Sequence, residues 1–511
     1  MDAVPLAPLL GSAVELTRSG TSLGDHLKVV FATSEFEPLV KTGGLADVSG
    51  SLPSALAQIG VAVRVLLPAY PSVLRAVESA PIAQIPRLGS LPAARLLMAR
   101  SPQGVDLLLI DCPQLYNRPG NPYLGPDGKD WPDNDIRFGL LSRTAAVLGG
   151  ADSPLEWRPD VVHCHDWQAA LAPVYLRHLP GAQAASVVTI HNLAYQGVFA
   201  YEALARVGLP PSAFTMDGAE YYGQLGFLKG GLACADAITT VSPTYAREIC
   251  TPALGFGLQG VLAARAEVLT GILNGVDIDY WNPAADRYIA QTYDADHLDK
   301  KRLNKRALQA ALGLPVEDAT PLLGVVSRLV EQKGIDLVVE VVERIIATNV
   351  QFVVQGIGDR ALEERLIDLA HRHPRKVGVR IAYDEALAHG IEAGADIFLM
   401  PSRFEPCGMN QMYSQRYGTL PIGCRTGGLA DSITDCTVQA LKSGTASGFT
   451  FAPPSADALH EALQRALALY RRPTAWRRVQ RTAMLRDFSW KASAQEYLKV
   501  YERAVRRRPS P

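Results

Sequence analysis

Short runs rich in β-branched residues alternate with amphipathic stretches through the first half of the chain. Each run is long enough for one buried strand, and the stretches between have the length and apolar spacing of helices. Because parallel strands need a crossover between them, this alternation predicts a doubly wound, mostly parallel α/β sheet. The runs are KVVFATS at 28–34, VAVRVLLP at 61–68, DVVHCHD at 160–166, SVVTIH at 186–191 and DAITTVS at 236–242.

A second series of the same kind follows an interruption. The polar, turn-rich segment 273–302 breaks the alternation, and strand-like runs then resume at 321–327, 349–355, 376–382, 395–402 and 419–424. Since 511 residues exceed what one hydrophobic core supports, we predict two α/β domains with the active site in the cleft between them. Helical periodicity without strands fills the chain from residue 456 onward.

The charges of the chain are balanced, with 50 Lys and Arg against 51 Asp and Glu and a formal net charge of -1. This balance gives no global positive field for nucleic acid or an anionic membrane, and we expect neither as a partner. Seven cysteines without a C-x-x-C motif predict a reducing compartment. Residues 1–27 resemble neither a secretory signal nor a transit peptide, so we expect a loosely ordered extension on a cytoplasmic protein.

A seven-residue sequence occurs twice, once in each predicted domain. KTGGLAD occupies 41–47 and RTGGLAD occupies 425–431, and each copy follows a predicted strand and opens toward a helix. Paired glycines either make a tight strand-to-helix turn or let backbone N–H groups approach an anion closely. Because both copies begin with a cation, we favour the second interpretation, phosphate or sugar binding at a shared cleft.

Two further loops follow strands of the second domain. SRLVEQKG at 327–334 places Arg328 and Lys333 around a turn, where they can bind a diphosphate and stabilise the charge that develops as it leaves. PSRFEPCG at 401–408 holds Glu405 in a loop flanked by prolines, a setting that suits hydroxyl binding or charge stabilisation. Cys407 is predicted to be a structural thiol because no histidine accompanies it locally.

Histidines end two strands of the first domain. His163, His165 and Asp166 end one strand, and His191 ends the next. Strand alternation puts His163 and His165 on one face, which permits a metal site, but hydrogen-bonded histidines in a protein interior are the commoner arrangement.

Several motifs that suggest other chemistry are weak or missing. The sequence GIGD at 356–359 predicts a turn with Asp359 as a helix cap rather than a dinucleotide site. The DxD sequence of Asp277 and Asp279 lies in the domain connection, and we attribute it to chance. The chain contains no G-x-S-x-G, H-E-x-x-H or G-x-x-x-x-G-K-[ST] motif, which argues against serine hydrolases of that type, zincins and P-loop NTPases.

Seven motifs in order resemble those of bacterial glycogen synthases and plant starch synthases. They are KTGGLADV, the HDW around Asp166, TIHNLAYQG at 189–197, ILNGVD at 272–277, SRLVEQKG, SRFEPCGMNQMYS at 402–414 and RTGGLAD. The resemblance implies a retaining glucosyltransferase of GT-B fold that extends an α-1,4-glucan, glycogen or maltodextrin, from ADP-glucose. It divides the chain into an extension (1–27), an acceptor domain (28–275), a connection (276–300), a donor domain (301–485) and a final helix that crosses back (486–511).

The resemblance also assigns roles to individual residues. Arg328 and Lys333 would bind the diphosphate, Tyr383 would stack on adenine, and Glu405 would bind the donor glucose and assist transfer. Asp166 and His191 match the active-site acid and the imidazole beside the glucose. The remaining donor-site residues are Lys41, Gly44, Asp47, Asn274, Cys407, Gly408, Met409, Asn410, Thr426, Gly427 and Gly428. Tyr413 stands where the wider retaining GT-B group has a second glutamate, a feature that synthases of this family share.

The chemistry of glucosyl transfer sets the remaining expectations. Arg328 and Lys333 would take the part of a metal ion, so we expect no metal and no cofactor. We also expect the two domains to close over the donor, with 275–300 as the hinge. Both a double displacement and a front-face route stay open. Two alternatives remain: a GT-B transferase acting on a UDP-sugar or a small acceptor, and a catalytically silent glucan- or nucleotide-binding regulator.

Overall fold

The structure is a computed structural model that describes residues 27–181 and 184–508. The predicted N-terminal extension, apart from Leu27, and the last residues of the predicted tail lie outside the described residues. Within them, no helix is long and apolar enough to cross a membrane.

The first half of the chain forms a sheet of nine strands in the order β12-β11-β7-β6-β1-β2-β5-β4-β3, with a small sheet β8-β10-β9 beside it. Hydrogen bonding is parallel from β12 to β5, and β4 is antiparallel to both of its neighbours, β5 and β3. The strands are β1 Lys28–Ala32, β2 Ala62–Pro68, β3 Ser79–Ile85, β4 Ala94–Arg100, β5 Asp106–Asp111, β6 Val161–His165, β7 Ala185–Ile190, β8 Val198–Phe199, β9 Glu220–Tyr221, β10 Gln224–Gly226, β11 Ala237–Thr240 and β12 Leu269–Gly271.

Helices cover both faces of this sheet, which explains why the central strands β6 and β7 are buried over their whole length and β1 is buried after its first residue. The helices are α1 Gly44–Gln58, α2 Pro71–Ala76, α3 Pro113–Tyr116, α4 Asn134–Leu148, α5 Asp166–Ala169, α6 Ala172–His178, α7 Ala203–Arg206, α8 Phe227–Cys234, α9 Pro243–Glu248 and α10 Gln259–Ala264.

The second half forms a parallel sheet of six strands in the order β15-β14-β13-β16-β17-β18, with its own hydrophobic core. Its strands are β13 Leu322–Val326, β14 Gln351–Gln355, β15 Val377–Arg380, β16 Ile397–Met400, β17 Leu420–Cys424 and β18 Phe449–Phe451. Its helices, and the one that follows them, are α11 Lys301–Ala311, α12 Ile335–Ile345, α13 Arg360–Arg372, α14 Glu385–Gly394, α15 Asn410–Arg416, α16 Gly427–Ser432, α17 Val438–Ser443, α18 Ala456–Tyr470, α19 Pro473–Met484 and α20 Trp490–Arg507.

The prediction of two doubly wound α/β domains is confirmed, and every predicted run contains a strand. The structure adds strands that the alternation did not indicate, chiefly β3 and β4, which pair antiparallel. These strands lie at the edge of the sheet, and β3 is largely exposed, so it lacks the continuous apolar pattern of a buried strand. Asp359 caps α13 by accepting from the amides of Ala361 and Leu362, as predicted.

The last helix, α20, packs against the first sheet rather than the second. Its apolar face joins the core of the first domain, where the Tyr501 hydroxyl lies 2.8 Å from Nδ1 of His163. The Ser493 hydroxyl donates to the Leu273 carbonyl at 2.6 Å. The chain therefore passes twice between the two domains.

The segment between β12 and α11 is attached to the second domain by hydrogen bonds. The Arg416 guanidinium donates to the Trp281 carbonyl at 2.8 Å, and the Tyr293 hydroxyl donates to the Tyr417 carbonyl at 2.7 Å. The predicted hinge at 275–300 is thus held against the second domain at Trp281 and Tyr293, and its role as a hinge stays a prediction.

Candidate active site

A large cleft of about 1660 Å³ separates the carboxyl ends of the two sheets. This edge is where parallel α/β sheets bind ligands, because crossovers leave a crevice at the point where their direction reverses. Most of the residues that the sequence nominated line this cleft together: Lys41, Gly44, Asp47, Asp166, His191, Asn274, Arg328, Lys333, Tyr383, Glu405, Cys407, Gly408, Met409 and Asn410.

Glu405 and Lys333 form an ion pair in the wall of the second domain. Lys333 Nζ lies 2.6 Å from Glu405 Oε2, and the Ser402 hydroxyl donates to the same oxygen at 2.9 Å. The Glu405 side chain is 6% exposed and that of Lys333 is 20% exposed, so both reach the cleft from a largely desolvated position. When the bond between a sugar and a diphosphate breaks, positive charge develops on the sugar and negative charge on the diphosphate. A carboxylate and an ammonium held at this distance can stabilise the first and the second charge respectively.

A left-handed turn brings Lys333 to Glu405. Gly334 has φ of 68°, and a Cβ at this position would lie 2.2 Å from the Pro401 carbonyl oxygen. Only glycine permits this close approach of the two strand-end loops, because a side chain would collide with the backbone. Arg328, on the other side of the turn, is exposed and faces the cleft.

Asp166 and His191 meet on the opposite wall, in the first domain. Asp166 Oδ1 accepts the backbone N–H of His191 at 2.7 Å, and burial raises the pKa of Asp166 to about 7. Burial lowers the pKa of His191 to about 3, so its imidazole is neutral. His191 Nε2 lies 2.9 Å from Nδ1 of the buried His165, which orients the ring.

His163 and His165 therefore belong to hydrogen-bonded pairs in the interior. His163 contacts Tyr501 and the Thr189 hydroxyl with its two ring nitrogens, at 2.8 and 2.6 Å. Across residues 27–181 and 184–508, no group of three or more His, Cys, Asp or Glu side chains is placed to hold a metal ion.

Two buried groups lie near the junction of the domains. Asn274 is 7% exposed, and its Oδ1 atom has no hydrogen-bond partner among the described residues, although the residue lines the cleft. A buried acceptor without a partner is costly, and a ligand hydroxyl in the cleft would satisfy it. Burial raises the pKa of Cys407 to about 12, which agrees with a structural thiol rather than a nucleophile.

The first glycine loop is held by a carboxylate that the sequence analysis missed. Glu35 is 3% exposed and accepts the backbone N–H groups of Thr42 and Gly43 at 2.5 and 3.0 Å. Lys41 pairs with Asp47 at 2.8 Å and points into the cleft. Glu35 lies three residues beyond the end of β1, so its position after a strand was the signal that could have found it.

The second glycine loop lies elsewhere, and Thr426, Gly427 and Gly428 do not line the cleft. Glu248 in the first domain accepts from the Thr426 hydroxyl at 3.0 Å and from the Gly427 amide at 3.1 Å. Asp431, in α16 at the end of the same repeat, accepts from both the amide and the hydroxyl of Thr244, at 2.8 and 2.7 Å. The second copy of the repeat thus joins α16 to α9 across the domain boundary.

This loop also packs against the backbone that carries Glu405. A Cβ on Gly427, whose φ is +42°, would lie 1.9 Å from the Glu405 carbonyl oxygen. We expect Gly427→Ala to lower the thermal unfolding midpoint, because backbone must move to admit the methyl group. The corresponding loss in the free energy of unfolding is about 2 kcal/mol or more. Differential scanning calorimetry of the variant measures this.

The first copy of the repeat supplies the matched control. Gly43 occupies the position corresponding to Gly427, its φ is -159°, and a Cβ there would meet nothing within 4 Å. Gly43→Ala should leave the free energy of unfolding within about 0.5 kcal/mol of the parental value, with little change in the thermal midpoint. Equal shifts for the two variants would contradict the packing described for Gly427.

The base of the cleft in the second domain carries an exposed tyrosine and a carboxylate. Tyr383 is 63% exposed, and its hydroxyl donates to the Glu385 carboxylate. Both residues line the cleft near the N-terminus of α14. An exposed ring in a cleft offers a flat apolar face of the kind on which a nucleobase stacks.

Two doubly wound domains facing each other across a cleft, with cations on one wall and a half-buried carboxyl group and imidazole on the other, define a GT-B glycosyltransferase. Residues 28–264 match the family described as starch synthase catalytic domain, and residues 313–482 match glycosyl transferases group 1. The chain belongs to the glycogen synthase and starch synthase family of glucosyltransferases.

Individual relatives support this membership. A glycogen synthase of Nitrosospira multiformis is 52% identical over 93% of this chain and 97% of its own length. One from Aromatoleum aromaticum is 53% identical over 94% and 98%. The solved catalytic domain of starch synthase IV from Arabidopsis thaliana, bound to ADP and acarbose, has a TM-score of 0.84 and 32% identity, covering 94% of this chain and 99% of that one.

Proposed function

We propose that this protein transfers glucose from ADP-glucose to the non-reducing end of an α-1,4-glucan, with retention of configuration. The observation that carries the proposal is the Lys333–Glu405 ion pair, set opposite Asp166 and His191 across one cleft. The choice of substrates is supported by two relatives of this protein that are named glycogen synthase, and by a structural neighbour bound to ADP and acarbose.

The second domain holds the donor in this proposal. Arg328 and Lys333 bind the diphosphate and stabilise its negative charge as the glycosidic bond breaks. Tyr383 stacks on the adenine, and the backbone amides from Gly408 to Asn410, at the start of α15, add donors for the phosphate. These side-chain cations do the work that a metal ion does elsewhere, so the proposed reaction needs no metal and no cofactor.

The first domain holds the acceptor and faces the glucose. Asp166 and the neutral His191 form hydrogen bonds with hydroxyl groups of the sugar. The Oδ1 atom of Asn274, which has no partner among the described residues, accepts a hydrogen bond from one more hydroxyl. Lys41 and Asp47 lie on the first glycine loop, which meets the donor when the domains close. The second glycine loop, with Thr426, Gly427 and Gly428, supports the Glu405 loop from behind instead of touching the donor.

Labelled ADP-glucose and UDP-glucose, each with a glycogen primer and with or without EDTA, test the proposal. We expect label in ethanol-precipitated polymer from ADP-glucose, at least ten times faster than from UDP-glucose and unaffected by EDTA. Faster incorporation from UDP-glucose would overturn the donor assignment. Loss of incorporation with EDTA would overturn the part given to Arg328 and Lys333, and no incorporation from either donor would favour a binding protein without activity.

A further inference from the structure

A buried histidine lies behind the exposed tyrosine of the donor site. His389 on α14 is 0% exposed, and its Nδ1 atom lies 2.7 Å from Oδ2 of Asp286 in the domain connection. The Tyr417 hydroxyl donates to the same Asp286 oxygen at 2.5 Å. The reaction as proposed above uses none of these groups.

Aromatic rings enclose the imidazole on several sides. The Trp281 ring lies between those of His389 and Tyr413, at 3.9 Å from each, with interplanar angles of 7° and 11°. Tyr280 and Tyr288 approach His389 with ring centroids at 5.2 and 4.8 Å. The negative faces of aromatic rings favour a cation at such distances.

Two carboxylates face the ring, one at each nitrogen. Burial lowers the pKa of His389, but the hydrogen bond to Asp286 and the charge of Glu385 outweigh it, so the pKa stands above its usual range. His389 Nε2 lies 3.6 Å from Oε1 of Glu385, an ion-pair distance that is too long for a hydrogen bond. His389, followed by the hydroxyls of Tyr383 and Tyr280, lowers the pKa of Glu385 to about 2.

Glu385 connects this cluster to the cleft. Its side chain is 33% exposed, its Oε1 atom accepts from the Tyr280 hydroxyl at 2.8 Å, and its Oε2 atom accepts from the Tyr383 hydroxyl. One carboxylate therefore joins the buried imidazole of His389 to the ring that is proposed to bind the base. Tyr383 is otherwise an exposed side chain, which would have to lose rotational freedom whenever a ligand stacked on it.

We propose that Glu385 and His389 are positioning residues for the donor base. His389 holds Glu385 as an oriented anion, and Glu385 fixes the Tyr383 ring through its hydroxyl before the nucleotide arrives. The Tyr383 side chain loses its conformational entropy on folding rather than on ligand binding, so the base binds to a preformed surface. This inference rests on the proposed role of Tyr383 in adenine stacking.

ADP binding to the full-length protein, measured by titration calorimetry, tests the inference with four variants. Glu385→Gln and Tyr383→Phe should each raise the Kd for ADP about fivefold, because each removes the same charge-assisted hydrogen bond. The double variant should also be weakened only about fivefold, whereas independent effects would multiply to about 25-fold. His389→Gln should resemble Glu385→Gln.

Steady-state kinetics separates positioning from a structural role. The KM for ADP-glucose should rise with the Kd for ADP, while kcat and the KM for the glucan stay within twofold of the parent. Glu364→Gln, which removes a carboxylate from an exposed ion pair on α13, should change none of these values. A lowered kcat with unchanged ADP affinity, or a 25-fold effect of the double variant, would overturn the inference.

Tyr383→Ala separates failure of this inference from failure of the proposed function. If Tyr383→Ala leaves ADP binding unchanged, the stacking role of Tyr383 is wrong and the inference falls with it. If Tyr383→Ala weakens ADP binding but Glu385→Gln does not, the stacking role stands and only the positioning role is overturned. His389→Gln can fail to fold because the residue is buried, and in that event Glu385→Gln and Tyr383→Phe still decide the question.

Discussion

Glu405→Ala is expected to lower kcat for glucosyl transfer by about 10³-fold. The carboxylate lies 2.6 Å from Lys333 Nζ and its side chain is only 6% exposed, so water screens the two charges poorly and they act strongly on each other. Removing it takes away the group that we propose to face the glucose and leaves the Lys333 ammonium without its partner. The rate of label incorporation into glucan at saturating donor and acceptor measures the loss.

Ser402→Ala supplies a graded comparison at the same carboxylate. It removes one hydrogen bond to Glu405 Oε2, of 2.9 Å, and leaves the ion pair in place, so we expect a loss of about tenfold or less. ADP should bind to Glu405→Ala with nearly parental affinity, because Arg328 and Tyr383 are untouched. If Glu405→Ala retained a tenth of the parental kcat, the role assigned to this residue would be wrong.

Asp166→Asn is expected to lower kcat by about 10²-fold and, at the same time, to stabilise the fold at alkaline pH. Burial raises the pKa of Asp166 from its usual 3.8 to about 7 in the folded protein. A carboxyl group with a raised pKa costs stability as pH rises from the unfolded value to the folded one, because folding then requires burial of the anion. The neutral amide removes that cost.

Asp166→Asn is expected to change activity and stability in opposite directions, which a merely disruptive substitution would not do. The thermal midpoint of Asp166→Asn should exceed that of the parent at pH 8 and approach it below about pH 3, where Asp166 is protonated in both the folded and the unfolded state. Asparagine also tolerates the left-handed conformation of this residue, whose φ is 54°. A lower midpoint at pH 8, or a parental kcat, would contradict the account of Asp166.

Much of the site could be predicted from the sequence because its residues follow strands. Asp166, His191, Arg328 and Glu405 each come at or just after the end of a hydrophobic run, and parallel sheets bring those ends to one edge. The motifs also identified the family correctly, and relatives about 50% identical confirm it. Local patterns were sufficient here because each functional loop is short and contiguous in sequence.

Contacts between distant segments were not predictable in the same way. The two copies of the glycine repeat are nearly identical in sequence, yet Glu35 caps the first and Glu248 of the other domain caps the second. Which copy faces the cleft depends on how the domains meet, and neither repeat encodes that. The cluster around His389 was missed for the same reason, because Asp286 lies 103 residues away from it in the chain.

Transfer from ADP-glucose labelled with ¹³C at the anomeric carbon to a maltooligosaccharide, followed by NMR, tests the central claim most directly. We expect the label to appear in a new α-1,4-linked residue at the non-reducing end, with no signal from a β-linkage. A β-linked product would contradict retention. Release of free labelled glucose with no lengthening of the acceptor would contradict the assignment of this cleft to glucan synthesis.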